Sequence, residues 1–539
     1  MNDLVDFFIN QGFLVSPKSI NEINEENKKT ILQYLKNLKE KPLLINKDII
    51  NLAIKNKQIT QIKWNEFEKS LVLFEKDKDK LTYETFLKIL DLETNKFSEL
   101  NKEQEFISKN TEINDLNEEP NVVILKNYAE TSKKYTVQDF TNYFKLRYDK
   151  LKSILISRKE LQNTISINRI LNKFNHEEVS IIGIVNEKRL TKNGNLLLVI
   201  EDQTGLINII FNKNKPELFE TANDTLLDEI IGITGQYNDR MVFAKNIYFP
   251  DIPINNPLKK AEKEEYAVFT SDLQIGSKVF YEKNLLNFID WLNCNHGNKE
   301  QKEVAKKVKY LFIPGDLVEG VGVYPGQEED LMIADIYKQY EKFVEYISKI
   351  RKDIKIIISP GNHDAVRLAE PQPKIDEKMA KRLYELENIY LTTNPAVVNI
   401  SSTKDNPGLN VLIYHGFSFP YIAENVESIR KSGRLENPEL ILKYLLQRRH
   451  LAPSHTSTQY MPYAEEDPLL IEKIPDFIIS GHIHKTKVMN YRNVTLMNCS
   501  CWISQTEDQE RRGIKPDPCK AILVNLKTRE IKILNFMET

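Results

Sequence analysis

Between residues 266 and 484, five short apolar runs each end at a small residue or tight turn that carries Asp, Asn or His. Tyr266-Ala267-Val268 leads into Phe269-Thr270-Ser271-Asp272-Leu273-Gln274, and Tyr310-Leu311-Phe312-Ile313 leads to Gly315-Asp316. Ile354-Lys355-Ile356-Ile357-Ile358 precedes Ser359-Pro360-Gly361-Asn362-His363-Asp364. Val411-Leu412-Ile413-Tyr414 precedes His415-Gly416, and Phe477-Ile478-Ile479-Ser480 precedes Gly481-His482-Ile483-His484. Apolar runs cut off by Gly or Pro read as buried strands delivering tight turns to one edge of a sheet. That edge is where open α/β sheets bind their ligands. A single turn Asn or Asp would carry little information. The repetition is what constrains the chain.

Carboxylate, amide and imidazole groups gathered at one edge make a ligand set for two metal ions. Hydrolysing a phosphodiester needs a hydroxide near neutral pH and neutralisation of phosphoryl charge. Two divalent ions about 3.5–4 Å apart, bridged by a carboxylate, supply both. Asp316 is the expected bridge. The mixed set suits Mn²⁺ foremost, with Mg²⁺, Fe²⁺ or Zn²⁺ as alternatives, over a thiolate-bound ion. In Gly-His-Ile-His the imidazoles stand at i and i+2, so an extended segment points them the same way.

The order Asp-x-Gln, Gly-Asp, Gly-Asn-His-Asp, Tyr-His-Gly, Gly-His-x-His resembles the calcineurin-like metallophosphoesterases, a group that includes DNA-repair nucleases. Three longer signatures narrow the resemblance. They are Gly315 to Gln327 (Gly-Asp-Leu-Val-Glu-Gly-Val-Gly-Val-Tyr-Pro-Gly-Gln), Gly361 to Arg367 with Glu370-Pro371-Gln372-Pro373, and Arg448-Arg449-His450-Leu451-Ala452-Pro453. Together they are similar to the small subunits of archaeal family D DNA polymerases, over about residues 165 to 539. That resemblance implies a four-layer αββα phosphoesterase domain at 262–539. In it Asp272 and His484 bind a first ion, Asp316 bridges, and Asn362, His415 and His482 bind a second. It also implies that His363 steers the scissile phosphate or protonates the leaving 3′-oxygen, and Asp364, adjacent, is expected to orient His363. One departure stands out: Gln274 occupies the place of a family histidine, and its neutral amide is a weaker ligand for a transition ion.

The remaining chain is read from pattern. Among the 539 residues, 41% are hydrophobic, enough for several cores, and the net charge of −2 sets up no global basic field, so any DNA contact has to be local. The acidic start Met1-Asn2-Asp3 and the absence of a long apolar run fit a cytoplasmic protein with no membrane partner. Cys294, Cys499, Cys501 and Cys519 are too sparse for a disulfide framework. Residues 1–92 repeat apolar positions at helical spacing and read as an α-helical domain, either a docking module for a sliding clamp or other replication factors or a packed appendage. Residues 93–135 read as a flexible linker and 136–164 as a connecting helix.

Over 165–255 the period changes to short strands at hairpin spacing, with a helix from Lys215 to Ala222 between the third and fourth. This is the layout of a β-barrel OB-fold. Lys188, Arg189 and Lys192 are its candidate contacts to single-stranded DNA, with a structural wedge against the partner subunit as the equal alternative. Arg367, Arg448 and Arg449 are further basic residues with a salt-bridged or solvated role as the alternative. The whole reads as a multidomain small subunit that trims DNA 3′ ends, single-stranded where they are cut, beside a large catalytic polymerase subunit. The alternative is a scaffold subunit whose metal site is weakened at Gln274.

Overall fold

The computed structural model describes residues 121–128, 134–463, 465–511 and 514–537, with short stretches between residues 7 and 45. The chain divides into two compact units, Met1–Leu116 and Asn117–Thr539.

In the first unit, the helix Lys28–Asn37 buries Ile31 and Leu35, which stand at i and i+4. The expectation of an all-helical domain needs correction, because Leu14–Val15 and Leu44–Ile45 pair as a short parallel ladder. Each segment ends in a β-branched residue, Val15 or Ile45, of the kind that a pleated ladder accommodates well. The helices expected over 49–92 lie outside the described residues.

In the second unit, strand β1 (Val122–Lys126) corrects the linker expected over 93–135. Its apolar run Val-Val-Ile-Leu joins the edge of a sheet some 270 residues away, pairing Val123 with Asn399 and Ile124 with Val398. Local composition pointed to a linker, but a non-local ladder captures the one apolar stretch within it. The rest of that linker, through residue 120, lies outside the described residues. Helix α1 (Val137–Ile156) follows, its start fixed by a capping box between Thr136 and Asp139.

Strands β2 (Glu178–Leu190), β3 (Leu196–Asp202), β4 (Gly205–Phe211), β5 (Ile230–Asn238) and β6 (Met241–Tyr248) close into a barrel in the order β2-β3-β4-β6-β5, with helix α2 (Pro216–Asn223) between β4 and β5. Alternate residues such as Ile181, Leu198, Ile209, Ile233 and Val242 fill it. Lys188 is not available to a ligand here. Its ammonium donates to the carbonyls of Asn223 and Thr225, where it complements the C-terminal end of α2.

The remainder adds β7 (Tyr266–Phe269), α3 (Glu282–Leu292), β8 (Val308–Pro314), α4 (Ile336–Ile347), β9 (Lys355–Ser359), β10 (Ile389–Leu391), β11 (Ala396–Ile400), β12 (Leu409–Ile413), α5 (Phe419–Asn425), α6 (Pro438–Arg448), β13 (Phe477–Ser480), β14 (Lys487–Tyr491), β15 (Val494–Asn498), β16 (Lys520–Asn525) and β17 (Ile531–Asn535). They form two six-stranded sheets, β10-β9-β8-β7-β16-β17 and β14-β15-β13-β12-β11-β1. The central pairs β7·β8, β8·β9, β12·β13 and β13·β15 are parallel, so their carboxyl ends emerge together.

The strand period of two sorts the side chains into layers. Phe269, Phe312 and Ile357 of one sheet meet Ile413, Phe477 and Ile479 of the other, with Phe269 stacked on Phe312 at 5.1 Å. Val268, Leu311 and Ile358 turn the opposite way, beneath α3 and α4, while Leu412, Ile478 and Leu496 turn beneath α5 and α6. Helices thus cover both outer faces, and the parallel strands are buried on both sides as their unbroken apolar runs require. Among the described residues, no helix is long and apolar enough to cross a membrane.

Two buried ion pairs tie α1 and the barrel to this sandwich. Arg147 on α1 meets Asp467 at 2.6 Å, and Asp467 also accepts from Tyr143 (2.6 Å) and pairs with His450 (2.9 Å). Glu229 at the start of β5 pairs with Arg448 at 3.2 Å, whose guanidinium lies 3.8 Å from the ring centres of both Phe249 and Tyr444. Arg449 donates to the carbonyl of Ile471 at 2.6 Å, and Arg367 to that of Pro371 at 2.7 Å. The basic motif around 448–450 is therefore a structural junction rather than a grip on phosphate.

Candidate metal centre

All five strand ends open onto one cavity of about 860 Å³, whose lining includes Gln274, Asp316, Asn362, His363, His482 and His484. Asp272 and His415 lie beneath, fully buried. Asp272 (φ 51°), Gln274 (φ 46°), Asp316 (φ 52°), His482 (φ 68°) and His484 (φ 59°) all hold left-handed backbone. That region costs a non-glycine residue about 1–3 kcal/mol, and such strain gathers at functional sites. It turns each side chain sharply out of its strand toward the others. Close approach needs glycine: a Cβ on Gly361 would lie 2.2 Å from Asp316 Oδ1, and one on Gly481 2.3 Å from Asp272 Oδ2.

Two groups of donors result. In one, Asp316, His415 and His482 bring ligand atoms within 4.8 Å of one another. His415 Nε2 lies 3.2 Å from Asp316 Oδ2 and 3.1 Å from Asn362 Oδ1. His415 Nδ1 faces the carbonyl of Pro314 at 2.7 Å, so that nitrogen carries the proton and Nε2 is presented to the site. In the other, His484 Nε2 stands 3.3 Å from Asp272 Oδ1, and the His482 N–H donates to the same carboxylate at 3.1 Å. Asp316 belongs to the first group, its Oδ1 accepting from the His363 N–H at 2.8 Å while Oδ2 faces His415.

Electrostatics bind the set together. Burial opposes ionisation of Asp316, but the facing imidazoles of His415 and His363 outweigh it and hold the carboxyl well below its ordinary range. Burial likewise opposes protonation of His415, yet Asp316 lifts its pKa to about 9, so an ion bound at Nε2 would displace the proton held there. His482 is driven down to about 3 by burial and then by its neighbour His415, which keeps it neutral.

These residues fit divalent metal. Carboxylates, an amide oxygen and imidazoles are the donors borderline ions take, and the Oε1 of Gln274 is buried with no hydrogen-bond partner among the described residues. An orphaned buried oxygen is costly unless something pairs with it. Asp272, Gln274 and His484 would hold one ion, Asn362, His415 and His482 the second, with Asp316 between.

His363 sits at the edge of the donor set with its side chain 15% exposed to the cavity. Its Nδ1 donates to the carbonyl of Glu319 at 2.7 Å, which leaves Nε2 directed at the Gln274 amide, 3.5 Å away. The expectation that Asp364 orients His363 is therefore corrected. The Asp364 carboxylate accepts from Gly361 N (2.8 Å), Leu317 N (3.3 Å) and Tyr340 OH (3.1 Å), bracing the two ligand loops. A carboxylate this deep satisfies loop N–H groups first.

Sequence reading missed two residues. Glu319 lines the cavity with Oε2 unpartnered among the described residues and its carboxyl pKa raised by burial. Its place four residues before Val323 in the long glycine-rich signature was the available signal. Gln509, from a segment with no periodicity, reaches His484 Nδ1 at 2.8 Å.

Residues 267–488 match the family model that describes the B subunits of DNA polymerases alpha and epsilon. The chain is 38% identical over 400 residues to the DNA polymerase II small subunit of Methanothermobacter thermautotrophicus, covering 74% of this chain and 80% of that one. It is 37% identical over 415 residues to the protein of the same name from Pyrococcus abyssi, covering 76% of this chain and 65% of that one, less than two thirds of its length. The Archaeoglobus fulgidus small subunit is 39% identical over 382 residues, covering 71% and 74%.

Proposed function

Because the chain belongs to the family of archaeal DNA polymerase II small subunits, we propose that it is the 3′→5′ exonuclease subunit of a two-subunit polymerase. In this reading it removes mispaired 3′ nucleotides beside a large subunit that carries out synthesis. The observation that carries the proposal is the convergence of the donor set on one cavity, with five of its members in left-handed backbone.

Two divalent ions bound there would supply an activated water and neutralise charge on the phosphoryl oxygens. The chain's own residues do the rest. The His363 backbone, donating to Asp316, fixes the catalytic loop against the bridge. Its ring, held at Nδ1 by the Glu319 carbonyl, presents Nε2 to the cavity, where the imidazolium form would steer the scissile phosphate and give its Nε2 proton to the leaving 3′-oxygen, returning to the neutral ring. Tyr324 and Phe417 border the cavity and offer aromatic faces to an unstacked base. The barrel, which we read as an OB-fold within an αββα phosphoesterase context, would guide single-stranded DNA through Arg189 and Lys192, both exposed.

A second reading rests on Gln274. With an amide where the family resemblance expects imidazole, the first ion would be held weakly, and the subunit would then serve as a scaffold. Release of the 3′-terminal nucleotide from a mismatched primer by the chain with its large subunit separates the two. The exonuclease reading expects release that a chelator abolishes and Mn²⁺ restores. Release that survives chelation would contradict a metal-dependent site, and no release at any Mn²⁺ concentration would favour the scaffold.

A further inference from the structure

The signature Glu370-Pro371-Gln372-Pro373 supplies no residue to the metal centre, yet Gln372 and Asn394 are almost fully buried between the loops that follow β9 and β12, at 3% and 0% exposure. They pair backbone to backbone, Gln372 N to Asn394 O at 2.7 Å and Asn394 N to Gln372 O at 3.0 Å. Their side chains continue the pairing in both directions. Asn394 Oδ1 accepts from the His415 N–H at 2.9 Å, and Asn394 Nδ2 donates to Gln372 Oε1 at 2.7 Å. Gln372 Nε2 then donates to the carbonyls of Gly361 (3.1 Å) and Arg367 (3.2 Å).

The orientation of both amides is determined without ambiguity. Only an oxygen can face the His415 N–H, so Asn394 must turn its NH₂ to Gln372. Gln372 must then offer oxygen there and its own NH₂ to the two carbonyls. Each amide side chain is engaged at both its oxygen and its nitrogen in a site with almost no water, where a fully satisfied network is rigid and a half-satisfied one is costly.

The relay spans the two sheets. Gly361 precedes Asn362 on the loop after β9, and His415 follows β12. His415 Nε2 and Asn362 Oδ1 meet at 3.1 Å. We propose that Gln372 and Asn394 form a positioning relay that sets the separation of Asn362 and His415, and so the affinity of the second metal position. Neither residue touches substrate or metal. The inference rests on the metal-site reading above. Outer partners of metal ligands change affinity by about 10–100-fold when removed.

The test is Mn²⁺ binding to the full chain, followed by electron paramagnetic resonance, for wild type, Gln372→Met, Asn394→Leu and the double variant, with thermal melting alongside. Expected is a loss of Mn²⁺ affinity of about tenfold or more in each single variant, with folding retained. The double variant should lose no more than the worse single, because either cut breaks the same relay. If Gln372→Met cannot be purified, Gln372→Glu carries the comparison: it keeps volume and the acceptor facing Asn394 but loses both donors. Lower melting temperatures with unchanged Mn²⁺ affinity would overturn the relay and leave the pair purely structural. Independent, additive losses would overturn it too. No Mn²⁺ binding by the wild type would instead overturn the metal site itself.

Discussion

At Gln274 a neutral amide stands where an imidazole was expected, and its Oε1 is buried without a partner among the described residues. Substituting Gln274→His supplies a nitrogen donor with a stronger preference for a transition ion, so Mn²⁺ affinity measured by calorimetry should rise, by about tenfold. His363→Ala should leave that affinity within about twofold and cut nucleotide release by about 10²–10⁴-fold, the scale of general acid catalysis. Asp272, Asp316, Asn362, His415, His482 and His484 were legible in the sequence because each ends an apolar strand. Asp364 was not, since adjacency in a chain does not decide what a side chain touches. Its carboxylate went to loop N–H groups that only the folded loops bring near.

At the scale of elements, strand-ending runs and the switch from helical to two-residue periodicity exposed the strands and the barrel, while the stacking of two sheets was implied by the family resemblance. Strand β1 stayed hidden because its pairing with Ala396–Ile400 is non-local and its neighbours in sequence are polar. The candidate DNA contacts of the barrel separate on the same ground. Lys188 holds the end of α2, so Lys188→Met should lower stability by about 1 kcal/mol, near the worth of a hydrogen bond, in chemical denaturation. Arg189→Gln with Lys192→Gln should instead weaken single-stranded DNA binding and flatten its salt dependence by about one phosphate contact per charge.

For the whole molecule, the junctions Arg147–Asp467 and Glu229–Arg448 hold α1 and the barrel on the sandwich that carries the site. Burial alone would raise the Asp467 carboxyl, but Arg147 and His450 hold it well below the ordinary carboxylate value. A depressed folded-state pKa contributes stability that is present above the unfolded value of about 3.9 and is lost as pH falls toward the folded one. Asp467→Asn should therefore cost about 3 kcal/mol at neutral pH, the scale of breaking a buried pair. Its melting temperature should also fall less steeply below pH 4 than that of wild type.

The central claim, that these strand ends form a working metal-dependent exonuclease, is tested most directly by release of the 3′-terminal nucleotide from a mismatched primer across a Mn²⁺ titration. Wild type, His363→Ala and Gln274→His would be compared, each with the large subunit. The account predicts release by wild type, near-complete loss in His363→Ala, and half-maximal release at lower Mn²⁺ in Gln274→His. Equal release by wild type and His363→Ala, or none by any of the three, would contradict it.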